Sequence, residues 1–158
     1  MKEDTDDAAP IDRESHATGE MCALVKPGGV LVCEDYDAAS VASDPPTDAY
    51  RRLYAISGVL DRAHGVDSEI GPKLHRLFAR VPVGAPRVQV RQPSFLTGPE
   101  KRLWELTLRE AAPAVIEAGA GTQSELEDIC SEMASIAGDS SIRVTVGHVW
   151  QTWACKIA

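Results

Sequence analysis

The chain has 158 residues, of which 44% are hydrophobic and 25% charged. That is the balance of a soluble globular protein, with length for one domain burying about two-thirds of its unfolded surface. The formal net charge is -8 and no basic patch stands out, which argues against nucleic-acid binding; there is also no secretory signal pattern and no apolar run approaching a membrane span, so a cytoplasmic protein without membrane contact is expected.

Residues 1 to 20 hold seven acids (Glu3, Asp4, Asp6, Asp7, Asp12, Glu14, Glu20) against Lys2 and Arg13. Residues 1–19 are therefore expected to be an acidic, disordered leader. Glu20 to Val25 reads as the last turns of a helix, which Pro27-Gly28-Gly29 must end. An unbroken apolar run, Val30 to Cys33, then meets Glu34, Asp35, Tyr36 and Asp37. Unbroken apolarity predicts a strand covered on both faces, as in parallel α/β sheets. The acids would then lie at its carboxyl end, the edge where such sheets place ligands. There they would hold a substrate amine or hydroxyl, or supply a general base if burial raised a pKa; the alternative is a solvated strand end that caps a following helix.

Asp44-Pro45-Pro46 predicts a helix entry, since proline is tolerated in the first turn. Tyr50, Leu53, Tyr54, Ser57 and Leu60 give that helix one mostly apolar face, and Gly65 ends it. Ile70, Leu74, Leu77 and Phe78 mark a second helix near residues 68–80. Arg87 to Arg91 alternates strictly, which predicts a half-exposed edge strand stopped by Pro93. Thr97-Gly98-Pro99-Glu100 has capping-box spacing before a helix carrying Trp104, Thr107, Leu108, Ala111 and Val115, which Pro113 should kink or divide. Thr122 and Glu125 form a second capping box, before Leu126, Ile129, Cys130, Met133 and Ala137. Ile142 to Ile157 reads as a final strand or hairpin, with a bulge or break at Gly147.

Cys22, Cys33, Cys130 and Cys155 form no C-x-x-C pair and are expected to be buried free thiols. His64, His75 and His148 lack metal-ligand spacing, and no metal site is expected. His148, near the last strand, is kept as a pocket candidate. Tyr50, Tyr54 and Trp104 are core or groove residues that can line an apolar substrate pocket.

The pattern Leu24-Val25-Lys26-Pro27-Gly28-Gly29-Val30-Leu31-Val32-Cys33-Glu34-Asp35 resembles the helix-turn-strand that enters the fifth strand of class I S-adenosylmethionine-dependent methyltransferases. From about residue 20 onward the chain is similar to their carboxyl-terminal, substrate-side half. The resemblance implies an α/β fold: a small mixed sheet equivalent to strands 5, 6 and 7 of a Rossmann-like methyltransferase, with four to five helices. The last strand would pair antiparallel between the other two. It also implies a substrate lid formed by the helices after strand five and between strands six and seven. Residues 20–158 would be one methyltransferase-like domain without the usual cofactor-binding half.

Glu117-Ala118-Gly119-Ala120-Gly121 resembles the family's cofactor-binding glycine loop. That loop requires a preceding strand, whereas Leu106 to Ala118 favours helix. Gln123 replaces the third glycine, and only 37 residues follow Gly121. Gly119 as a helix terminator is the favoured reading, with Glu117, Gly119 and Gly121 as weak cofactor candidates.

The expected function is thus the substrate-binding side of S-adenosylmethionine-dependent methylation of a small molecule, incomplete as a catalyst alone, with the catalytic residues unassigned. Glu34, Asp35, Tyr36, Asp37, Tyr50, Tyr54, Trp104 and His148 are the substrate-binding candidates. A cofactor-binding partner chain, or a longer enzyme of which this is a fragment, would complete the site. The alternatives are a repurposed, non-methylating ligand-binding or homodimeric protein, and a rearranged fold in which Glu117 to Gly121 binds cofactor.

Overall fold

The computed structural model describes residues 10–157. Helix α1 (Pro10–Leu24) leads into strand β1 (Val30–Asp37), followed by β2 (Ala42–Asp44), α2 (Asp48–His64), α3 (Leu74–Phe78), β3 (Arg87–Arg91) and β4 (Ser94–Phe95). Helices α4 (Leu103–Glu117) and α5 (Gln123–Gly138) and strands β5 (Arg143–Thr145) and β6 (His148–Cys155) complete the described chain. The fold is α/β, with five α-helices and two three-stranded sheets among the described residues.

The larger sheet has the order β1-β6-β3, so the last strand occupies its centre. It pairs Val30 with Cys155 through Asp37 with His148 on one side, and Arg87 with Trp153 through Arg91 with Val149 on the other. The mixed sheet expected from the sequence does not form. Because β6 separates β1 from β3, every ladder is antiparallel. The smaller sheet, β2-β5-β4, is antiparallel as well. Gly147, at φ 105, breaks β5 from β6, so the final segment serves two sheets.

The expectation that β1 is covered on both faces is also corrected. Leu31 is buried with Cys22, Phe78 and Ala154, in a cluster supplied by α1, α3 and β6. Val30 and Val32, pointing the other way, are 52% and 53% exposed. The apolar run therefore reports one covered face and one open one.

Helix α1 starts at Pro10, so the second half of the segment read as a leader is helical. Residues 1–9 lie outside the described residues. Lys156, just after β6, secures the end of this helix: its Nζ donates to the carbonyls of Cys22 at 2.9 Å and Val25 at 2.8 Å. A lysine there satisfies carbonyls that a helix end leaves unpaired.

Helix α2 begins only at Asp48, with Thr47 as its N-cap residue. Pro45 and Pro46 precede it rather than forming its first turn. It ends as expected at Gly65, in the left-handed region at φ 61. The helix expected over 68–80 is split into a 3-10 turn, Gly71–Lys73, and the five-residue α3.

No capping box forms at Thr97, because Gly98 opens a 3-10 turn, Pro99–Arg102, without a side-chain cap. Pro113 does not divide α4, since Leu108 and Val115 on either side of it are both buried in the main core. The Thr122–Glu125 box closes in both directions. The main core joins α2, α4 and α5 through Leu53, Ile56, Leu108, Ile129 and Met133. Of the four free thiols, Cys22 and Cys130 are buried, Cys33 is half-buried, and Cys155 is exposed, against expectation.

Candidate substrate cavity

The carboxyl end of β1 faces the first turns of α4 across a cavity of about 520 Å3. Glu34, Asp35 and Tyr36 form one side; Leu103, Trp104 and Thr107 form the other; Val146 and Val149 complete the lining. The Tyr36 and Trp104 rings meet at 6.0 Å with a 50° tilt, an arrangement between stacked and edge-to-face that favours contact between aromatic faces and edges. Tyr36, Tyr50, Tyr54 and Trp104 also share a smaller void of about 20 Å3.

Local chemistry fixes these groups. Asp35 Oδ1 accepts from the Tyr36 amide at 2.8 Å. Burial, with Asp61 and Asp35 nearby, pushes the Tyr36 phenol upward, so it remains a hydrogen-bond donor. Burial pushes Tyr50 up to about 12. Tyr54 donates to Glu69 Oε1 at 3.1 Å, the main cause of its own raised pKa. Trp104 Nε1 is buried with no acceptor among the described residues.

The 3-10 turn before α3 lies directly against the strand end. A Cβ on Gly71 would sit 2.9 Å from Trp150 Cδ1 and 3.0 Å from the carbonyl oxygens of Asp35 and Tyr36. Only glycine allows that approach.

The structure thus brings Glu34, Asp35, Tyr36 and Trp104 together, with Tyr50 and Tyr54 behind the aromatic pair. Asp37 and His148 stand apart from the cavity lining. Asp37 Oδ1 accepts from the Ala39 amide at 3.1 Å and caps the 3-10 turn Ala38–Ser40. Its Oδ2 lies 4.0 Å from His148 Nδ1. Sequence reasoning missed Leu103, Val146 and Val149. Leu103 lies four residues before Thr107, so the two share a helix face, a readable helical signal. Val146 and Val149 straddle Gly147, where the periodicity is interrupted.

No protein-family model and no curated protein matches the chain. The cavity and its chemistry carry the functional reading.

The residues proposed as a cofactor loop do not fit that role. Glu117 ends α4, and Gly119 follows in the left-handed region at φ 66. Helix α4, not a strand, leads into them, and a Cβ on Gly121 would meet Leu126 and Val115 at 3.5 and 3.6 Å. This segment is a packed helix-to-helix turn rather than a backbone cradle. Among the described residues no three His, Cys, Asp or Glu side chains gather to hold a metal, and no helix is long and apolar enough to cross a membrane.

Proposed function

We propose that this chain supplies the acceptor-binding side of a methyl transfer from S-adenosylmethionine to a small molecule. The observation that carries the reading is the cavity in which Glu34, Asp35 and Tyr36 face Leu103 and Trp104. A largely apolar wall with a few polar groups at a strand end is the usual build of a small-molecule site. The central place of β6 between β1 and β3 accords with the Rossmann-like resemblance, as does the lid position of α4 over the strand end. Glu34 and Asp35 suit an acceptor amine or hydroxyl, and Tyr36 donates a hydrogen bond to it.

Methyl transfer needs the sulfonium in line with the acceptor, and holding one reactant alone gives little of that orientation. A cofactor-binding chain set against the outer edge of β1 would supply it. Calorimetric titration with S-adenosylmethionine and its demethylated product tests this division of labour, once light scattering has fixed the mass. No heat from a folded chain is expected. Micromolar binding would assign the cofactor to this chain and overturn this division of labour. Phenol, as a minimal acceptor, should quench tryptophan fluorescence, with Leu103→Ala weakening the effect; a flat titration would overturn the acceptor site.

The open sheet face favours a second reading, a non-methylating dimeric binding protein. Val30 and Val32 lie there beside Trp153, the cross-strand partner of Val32, and a second copy would cover them. A dimer mass with phenol binding but no affinity for a partner chain would support it.

A further inference from the structure

The cavity has a neighbour on the open face of the larger sheet. A depression of about 270 Å3 is lined by Glu34, Gln89, Arg91, Pro93, Val149 and Gln151. Glu34 and Val149 belong to both spaces. The strand register explains the composition: Glu34 pairs with Gln151, which pairs with Gln89, so three polar side chains from three strands stand in one row. Arg91 and Tyr36 flank Val149 in the next row on the same face.

Each charged group is held by an amide of this row. Gln151 Nε2 donates to Glu34 Oε2 at 3.0 Å. With the Gln89 amide turned so that its oxygen faces the guanidinium, that oxygen accepts from Arg91 Nε at 3.2 Å and Nη2 at 3.0 Å. Neither charge is neutralised by the other, since no ion pair joins Glu34 or Arg91 to an opposite charge among the described residues. One carboxylate and one guanidinium, each steadied by an amide, therefore face the same small space. A single anion would meet Glu34, and a single cation would meet Arg91. A group carrying both charges satisfies the two together.

Resting on the acceptor-site reading above, we propose that the substrate is an α-amino acid with an apolar ring: its ammonium on Glu34, its carboxylate on Arg91, and its side chain against Leu103 and Trp104. The shared Glu34–Val149 wall is where headgroup and ring join. Phenols and indoles suit the larger cavity because aromatic rings supply wide apolar contact at low entropic cost.

The probes are L-tryptophan, tryptamine (cation only) and indole-3-propionate (anion only), titrated calorimetrically into the intact chain. L-Tryptophan is expected to bind about tenfold more tightly than either, the worth of one charge-assisted hydrogen bond at an exposed site. Arg91→Gln should reduce L-tryptophan to the level of tryptamine while leaving tryptamine unchanged. Glu34→Gln should reduce it to the level of indole-3-propionate. Equal affinities for the three probes would overturn the zwitterion site and leave the apolar cavity standing. Binding by none of them, with phenol also silent, would overturn the acceptor site itself.

Discussion

Lys101 is 1% exposed, and its Nζ donates to three carbonyls: Asp139 at 2.6 Å, Ile142 at 2.9 Å and Leu96 at 3.2 Å. Its three donors meet three acceptors, tying the approach to α4 to the α5–β5 loop. Lys101→Met should cost about 3 kcal/mol by urea denaturation, because it strands buried carbonyls. Glu105, also 1% exposed, accepts from Arg102 Nε at 2.8 Å and Arg109 Nε at 2.7 Å. Hydrogen bonding to Arg102, aided by Arg109, holds its carboxyl below the ordinary value of 4.5 despite burial. A depressed folded-state pKa gives stability that is present above the unfolded value and lost as pH falls through the folded one. Stability should therefore drop in acid below about pH 4.5, and Glu105→Gln should flatten that decline in pH-dependent urea melts. Tyr50 acts at the other extreme. With its pKa pushed to about 12, its contribution should fade as pH rises from about 10, and Tyr50→Phe should remove that alkaline phase.

At the level of elements, the 3-10 turn at Gly71 sets the shape of the candidate site. Gly71→Ala would force the turn off the backbone of Asp35 and Tyr36. A loss of about 1–3 kcal/mol is expected from such overpacking, with near-ultraviolet circular dichroism changing as the Tyr36–Trp104 pair shifts. Thr122→Ala should cost about 1 kcal/mol through its lost cap, without altering phenol binding. The elements legible in the sequence were those with sustained periodicity: α2, α5 and β3, though the half-exposed reading of β3 is corrected, since Val88 and Val90 are 44% and 42% exposed and neither face of that strand is covered. β2, β4 and β5, of two or three residues each, are too short to carry a pattern. The open face of β1 was hidden because an apolar run looks the same whether one or both sides are covered. Tyr36 and Trp104 were both visible as candidates, yet their meeting depends on how α4 docks. Gln89, Arg91 and Gln151 converge through strand register alone, which pairs residues far apart in the chain.

For the whole molecule, the division into a covered and an open sheet face governs its associations. Among the described residues no helix covers the face bearing Val30, Val32 and Trp153 in the way α1 and α3 cover Leu31 and Ala154. Replacing Val30 and Val32 with threonine should lower any self-association seen by light scattering, while leaving the thermal midpoint nearly unchanged because both side chains are already half in water.

The central position of β6 has a consequence for synthesis. β1 and β3 share no ladder; each pairs with β6 in the larger sheet. A ribosome delivers β1 first and β3 next, and β6 emerges only after α4 and α5 have been made. Until then both strands carry a full set of unmet backbone partners, and the helical core of α2, α4 and α5 is the part able to collapse on the nascent chain. The sheet cannot close before β6 is made, and the candidate site, which Val146 and Val149 help to line, cannot be complete until then.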